Sequence, residues 1–200
     1  INLGTTSQNR VAYYVKDTGV LKGSNIGTVK GYGVGVYLDG GTLDASSPTL
    51  DYTATGNSGN GIIGLLLKGN TNISGYTRKI KVGNTAGTNY AITMYTDGQG
   101  TSGTAKNISA ALETGENGVG LFAENGSNIN YTGQMAIGNG VKAGTAIYIG
   151  NNNGTNPSTV TIGSGANIVL KGENGVGAIV TKNATVNFDT GSVSYTHLRA

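Results

Sequence analysis

Seven related stretches recur along the chain, 23 to 31 residues apart, and this repetition constrains the fold more than any other feature. The clearest pair is ENGVGLFAENGSNI at 116–129 and ENGVGAIVTKNATV at 173–186. Each copy contains one small residue with apolar residues on both sides. The small residues are Ala12, Gly35, Gly64, Ala91, Gly120, Ala146 and Gly177. A fixed period between about 20 and 50 residues is typical of proteins built from stacked repeats.

Apolar residues alternate with other residues inside each copy. Around Gly120, for example, Val119, Leu121 and Ala123 are apolar, and Glu124 is charged. Because successive side chains of a strand point to opposite faces, this period of two indicates a strand with one buried face. The residues one before, one after and three after the small residue are therefore predicted to be buried. The small residue and the residue two after it are predicted to point outward.

Turn signals separate these strands. Asn-Gly pairs stand before four of the copies, at 60–61, 117–118, 139–140 and 174–175. Both residues adopt positive φ angles at little steric cost, so such pairs favour sharp turns. A second apolar run often follows the strand, as in STVTI at 158–162. The sequence therefore predicts an all-β fold, a parallel β-helix (β-solenoid) of about seven coils, as a single domain over residues 1–193.

The composition agrees with stacked coils and excludes several kinds of site. Only 36% of the residues are hydrophobic and 12% are charged, which suits a thin core in which each coil packs on its neighbours. The chain has no cysteine, so disulfides and cysteine metal sites are excluded. The basic run RKIK at 78–81 is predicted to be a strand with lysines on its solvent face. No nucleic-acid partner is predicted, since no nucleic-acid-binding signature is found.

Enzymatic chemistry is not predicted, because the required side chains do not come together. Asp39 and Glu124 hold the charged position four after the small residue, but the predicted register places them three coils apart, roughly 14 Å. Glycosidase carboxylates stand about 5–9.5 Å apart. The one histidine, His197, lies in the segment SYTHLRA at 194–200, which breaks the repeat pattern and is interpreted as a non-native tail. We therefore expect no catalytic, cofactor or metal site.

One outward position is unusually apolar. It lies two residues after the small residue, and most copies have an aromatic or aliphatic residue there. Thr93 and Ile179 hold this position in the fourth and seventh copies. An exposed apolar patch often marks a contact surface. The candidate partner-contact stripe consists of Tyr14, Tyr37, Leu66, Phe122 and Tyr148. A stripe that packs on itself, or lies under a loop, remains the alternative.

The NGVG strand phrase, the turn glycines and the missing cysteine resemble the passenger region of large bacterial autotransporter adhesins, of the type V secretion class. The resemblance covers roughly residues 10–193. It implies a right-handed parallel β-helix on the outer surface of a Gram-negative bacterium. In such proteins only a C-terminal β-barrel is attached to the membrane. This sequence lacks that barrel, as expected for a fragment. The implied partner is a protein or glycan on a host-cell or bacterial surface.

We therefore expect a non-enzymatic stalk or adhesin segment at the cell surface. An extracellular polysaccharide lyase or hydrolase and a purely structural spacer are the alternatives.

Overall fold

The computed structural model describes residues 1–4, 10–22, 28–46, 49–53, 62–69, 71, 73–83, 91–98, 105–150, 156–189 and 195–197. The described strands are β1 (Val11–Lys16), β2 (Val20–Leu21), β3 (Val29–Lys30), β4 (Val34–Asp39), β5 (Thr42–Leu43), β6 (Leu50–Thr53), β7 (Ile62–Lys68), β8 (Lys79–Gly83), β9 (Ala91–Asp97), β10 (Lys106–Ile108), β11 (Ala111–Thr114), β12 (Val119–Glu124), β13 (Asn128–Tyr131), β14 (Gln134–Ile137), β15 (Thr145–Ile149), β16 (Ser158–Ile162), β17 (Asn167–Leu170), β18 (Val176–Val180), β19 (Ala184–Phe188) and β20 (Tyr195–His197). Within these ranges no helix is long and apolar enough to cross a membrane.

The strands form the faces of a parallel β-solenoid. The first sheet has seven strands in the order β1-β4-β7-β9-β12-β15-β18, and the second has four, β10-β13-β16-β19. The third sheet has seven, in the order β20-β17-β14-β11-β8-β6-β3. The chain visits the first, second and third sheets in turn and then enters the next coil, for example through β12, β13 and β14. The predicted fold class is confirmed.

The number of complete turns is smaller than predicted. The first sheet has the expected seven strands, but only the last four coils contribute a described strand to all three long sheets. The solenoid therefore has about four complete turns. In the first two coils the described residues between the first and third sheets include the short strands β2 and β5, which pair with each other. In the third coil the described chain instead makes a turn, closed by a hydrogen bond from the Tyr76 N–H to the Ile73 carbonyl.

The core is a column of apolar side chains along the solenoid axis. Leu65, Met94, Leu121 and Ile147 are Cα partners in successive coils, and none is exposed. Burying a side chain of this size contributes about 1.5–3 kcal/mol. Stability therefore depends on every coil having a neighbour on which to pack.

The small residue is buried at Gly35, Gly64, Gly120 and Ala146, which corrects the prediction that it points outward. Gly35 and Val36 are buried one after the other, so the strict alternation breaks here. A Cβ on Gly35 would lie 2.7 Å from Cδ2 of Tyr52 in the third sheet. The preceding residue, predicted to be buried, is only half-buried at Val34, and Val176 is 39% exposed. A small residue is needed because the third sheet packs directly against the backbone of the first.

The fourth repeat is shifted by two residues from the predicted register. Lys68 pairs with Asp97, and this places Thr93 rather than Ala91 at the small position. Thr93 is completely buried, and its hydroxyl is hydrogen-bonded to the hydroxyl of Thr114. That hydrogen bond satisfies the buried oxygen, so threonine is tolerated where the other repeats have glycine or alanine.

The C-terminal segment contains a strand that the sequence pattern does not predict. Tyr195–His197 pairs in parallel with β17, with Ile168 opposite Tyr195 and Leu170 opposite His197. Backbone pairing needs no particular side chains, which is why the lack of a repeat motif did not prevent it. The interpretation of 194–200 as a non-native tail stays a prediction.

Candidate functional site

The predicted stripe lies on the solvent side of the first sheet. Tyr14 is opposite Tyr37, Tyr37 is opposite Leu66, and Phe122 is opposite Tyr148 in neighbouring strands. Tyr14 is 53% exposed, and the other four are half-buried. The five residues therefore share one column, as the sequence predicts.

Tyr95 belongs to the same column, and the sequence analysis missed it because of the shift in the fourth repeat. It is the Cα partner of both Leu66 and Phe122. Thr93, which the predicted register placed here, is in the core. We call the complete row the outward column; it consists of Tyr14, Tyr37, Leu66, Tyr95, Phe122, Tyr148 and Ile179.

Three rings of the outward column form a stack. The ring centroids of Tyr95 and Phe122 are 4.9 Å apart with planes at 8°, and those of Phe122 and Tyr148 are 4.8 Å apart at 4°. Such contacts contribute about 0.5–1.5 kcal/mol each beyond the buried area. The rings cover one another's faces, so a partner would meet ring edges and tyrosine hydroxyls. The column thus joins neighbouring coils while one side of it stays accessible.

A column of charged residues runs along the end of the same strands. Lys16 is opposite Asp39, Asp39 is opposite Lys68, and Lys68 is opposite Asp97. Opposite charges therefore alternate over the first four coils, which avoids there the repulsion that like charges produce when they stand side by side. The hydroxyl of Tyr14 also donates to Oδ2 of Asp39, at 3.1 Å, linking the charged column to the outward column.

Asp97 and Glu124 are Cα partners in adjacent coils, so two carboxylates do come together, contrary to the prediction from the sequence. Neighbouring strands are about 4.8 Å apart, and the carboxyl groups of retaining glycosidases are separated by about 5–5.5 Å. Asp39 and Glu124 are too far apart to act as a pair of catalytic carboxylates, whereas Asp97 and Glu124 stand on neighbouring strands.

Both carboxylates of the pair accept hydrogen bonds from a neighbouring coil. The Tyr95 hydroxyl donates to Oε1 of Glu124, and Nδ2 of Asn125 donates to Oδ1 of Asp97 at 3.2 Å. Burial and the adjacent Glu124 carboxylate raise the pKa of Tyr95, so Tyr95 keeps the proton that it donates. These two hydrogen bonds link the coils, and the first of them involves a ring of the aromatic stack.

The strand that contains the RKIK run has the predicted two faces. Ile80 and Val82 are completely buried, whereas Lys79 is exposed and Lys81 is half-buried. The ammonium groups of Lys79 and Lys81 lie 2.7 Å and 3.4 Å from the Glu113 carboxylate. The prediction of a solvent-facing lysine side is confirmed.

The described residues contain no group of three or more His, Cys, Asp or Glu side chains that could hold a metal ion. Comparisons of the chain with protein-family models, with curated proteins and with solved structures found no match.

Proposed function

We propose that this chain is a segment of a non-enzymatic cell-surface stalk or adhesin, and that the outward column contributes to attachment. The observation that carries the proposal is the continuity of that column, which has a member in each of the seven strands of the first sheet. Contacts repeated about every 4.8 Å along a stack of coils suit a surface that binds at several points at once. Each weak contact then adds to the total affinity.

The proposed location is the exterior of a Gram-negative bacterium, as an autotransporter passenger region. The resemblance of the NGVG repeats supports this, and so does a fold that needs no disulfide, since the chain has no cysteine. Coils that pack only on their neighbours can form one after another once the chain has crossed an envelope unfolded. The partner is a protein or glycan on a host-cell or bacterial surface.

A carbohydrate-active enzyme is the second candidate, and the Asp97–Glu124 pair is the observation that favours it. Such an enzyme would use one carboxyl group as a general acid and the other as a nucleophile or base. In the structure these carboxylates accept hydrogen bonds from Asn125 and Tyr95 of the neighbouring coil. A structural role in linking the coils therefore explains their positions without catalysis.

Two assays on the purified chain separate the candidates. The first measures binding to a glycan array and to host and bacterial cells, and the second measures polysaccharide cleavage by new reducing ends and by unsaturated products. We expect binding without cleavage. Cleavage that is lost in both Asp97→Asn and Glu124→Gln would replace our proposal with the enzyme, and neither binding nor cleavage would leave a structural spacer.

A further inference from the structure

A polar cleft lies on the outer side of the third sheet, where β8 and β11 end and the chain turns toward the next coil. Its volume is about 210 Å³. It is lined by the polar side chains of Lys81, Glu113, Glu116, Asn139 and the buried Thr114, and Gly83 forms part of its wall. This cleft is on a different sheet from the outward column.

The polar groups of the cleft are held by hydrogen bonds and ion pairs. Glu113 bridges Lys79 and Lys81, and Nδ2 of Asn139 donates to Oε2 of Glu116 at 3.1 Å. Oδ1 of Asn139 accepts from two backbone N–H groups of its own turn, both at 2.9 Å. Since these contacts fix the groups before any ligand arrives, little ordering of the site is required on binding.

The cleft is lined by one lysine, Lys81, and two glutamates, Glu113 and Glu116. Lys79 does not line it, but its ammonium group lies 2.7 Å from the Glu113 carboxylate, so the two lysines and the two glutamates together carry equal and opposite charge. A hydrogen bond and ion pair with Lys79 hold the pKa of the Glu113 carboxyl below its usual range, so this group is ionised at neutral pH. No charge is left in excess to favour an anion or a cation.

Closely spaced donors and acceptors instead match a ligand with several hydroxyl groups. Each hydroxyl of such a ligand can donate to Glu113 or Glu116 and accept from Lys81. Hydrogen bonds to charged groups are about twice as strong as those between neutral groups. The cleft is smaller than the roughly 300–1,000 Å³ of sites for drug-sized molecules, so its ligand is about one ring in size.

We propose that this cleft binds one neutral sugar residue of a surface glycan. The proposal deepens the proposed function by naming a glycan as a partner, but it uses a site separate from the outward column. Binding of a sugar here and attachment through the outward column can therefore fail independently.

Gly83→Phe provides the test, because it fills the cleft without disturbing the core. Gly83 lies on the same side of β8 as Lys81, and a Cβ there would meet nothing within 4 Å. Val169→Phe is the matched control. Val169 is in the outward-facing row of the third sheet that contains Glu113 and Ala136, two strands beyond Glu113. Circular dichroism checks that both variants are folded.

Saturation-transfer NMR with methyl glucoside, methyl galactoside, methyl mannoside and N-acetylglucosamine measures binding, with glucuronate and glucosamine as charged comparators. We expect at least one neutral sugar to bind more tightly than both charged ones. Gly83→Phe should weaken it by at least about tenfold, whereas Val169→Phe and Phe122→Ser should not.

Three results would each overturn the proposal: no neutral sugar binds, a charged comparator binds as tightly, or Gly83→Phe binds like the unaltered chain. Because Phe122→Ser acts only on the outward column, loss of cell attachment in that variant with retained sugar binding leaves the cleft proposal intact.

Discussion

Replacing Gly64 with alanine should destabilise the solenoid, because the third sheet packs directly against this glycine. Gly64 is buried in β7. A Cβ added there would lie 2.6 Å from Cγ2 of Val82 and 2.8 Å from the carbonyl oxygen of Thr93 in the next coil. Real Cβ atoms essentially never approach other atoms closer than 3.0 Å. Alanine therefore forces the two coils, or the two sheets, apart.

The loss of stability in Gly64→Ala depends on how far the atoms around the added Cβ can move away from it. Val82 is completely buried, so its side chain has no solvent-filled space to enter, and the Thr93 oxygen belongs to the backbone of β9. Overpacking of this kind costs about 1–3 kcal/mol. Alanine also lowers the conformational entropy of the unfolded chain, and this stabilises the folded state by about 0.4–1 kcal/mol. Because neither the Val82 side chain nor the backbone oxygen can move away, we expect the upper part of the overpacking range, so that the free energy of unfolding falls by about 1–2.5 kcal/mol.

Urea denaturation followed by far-ultraviolet circular dichroism measures this loss, with Gly83→Ala as the matched control. Gly83 ends β8, and a Cβ there meets nothing, so the same substitution should leave stability unchanged or slightly higher. Equal stability of the Gly64→Ala and Gly83→Ala variants would refute the reasoning. The small residue of the repeat would then not face the third sheet.

Two other predictions concern the core and the pH dependence of stability. Leu121→Ala should lower the free energy of unfolding by about 2–5 kcal/mol, since Leu121 is completely buried. Phe122→Ser should lower it clearly less, because the Phe122 ring is half-buried on the outward column. Equal losses in urea denaturation would contradict the assignment of the two faces. Burial raises the pKa of Tyr131, so the stability that its neutral hydroxyl provides is complete below the unfolded-state pKa of about 10 and is lost as the pH rises above it. Thermal denaturation between about pH 9 and 11 should therefore show a shallower decline for Tyr131→Phe, and an unchanged decline would exclude this contribution.

The strands of the first sheet are the most predictable part of the fold. Their alternation is strong enough to identify Leu121 and Ile147 as core residues and to place Phe122 and Tyr148 outside. The orientation of the small residues was not predictable in this way, because a period of two assumes an even pleat. Gly35 and Val36 are buried one after the other, and only contact with Tyr52 of a distant strand reveals why.

The fourth repeat shows where the sequence criterion was too narrow. Requiring glycine or alanine selected Ala91, although the interval of 29 residues from Gly35 to Gly64, applied once more, leads to Thr93. Equal spacing was the signal that could have found Tyr95. The hydrogen bond between Thr93 and Thr114 is what makes threonine acceptable there, and it depends on a third-sheet strand that no local pattern reveals.

The polar cleft was beyond prediction for a related reason. Glu113 follows Lys81 by 32 residues in the chain, and Asn139 follows Glu116 by 23 residues. Their meeting depends on the register of β8 with β11 and on the turn after β14. Such contacts between coils are set by the length of each coil, which varies from repeat to repeat.

Attachment to host and bacterial cells tests the central claim, that the outward column is a contact surface, most directly. The measurement compares the unaltered chain with the double variant Phe122→Ser and Tyr148→Ser at a temperature where both are folded. Phe188→Ser is the matched control, because Phe188 is an aromatic residue that is 45% exposed and lies outside the column. We expect the double variant to bind at least about tenfold more weakly and the control to bind like the unaltered chain. Equal binding of all three proteins would contradict the claim.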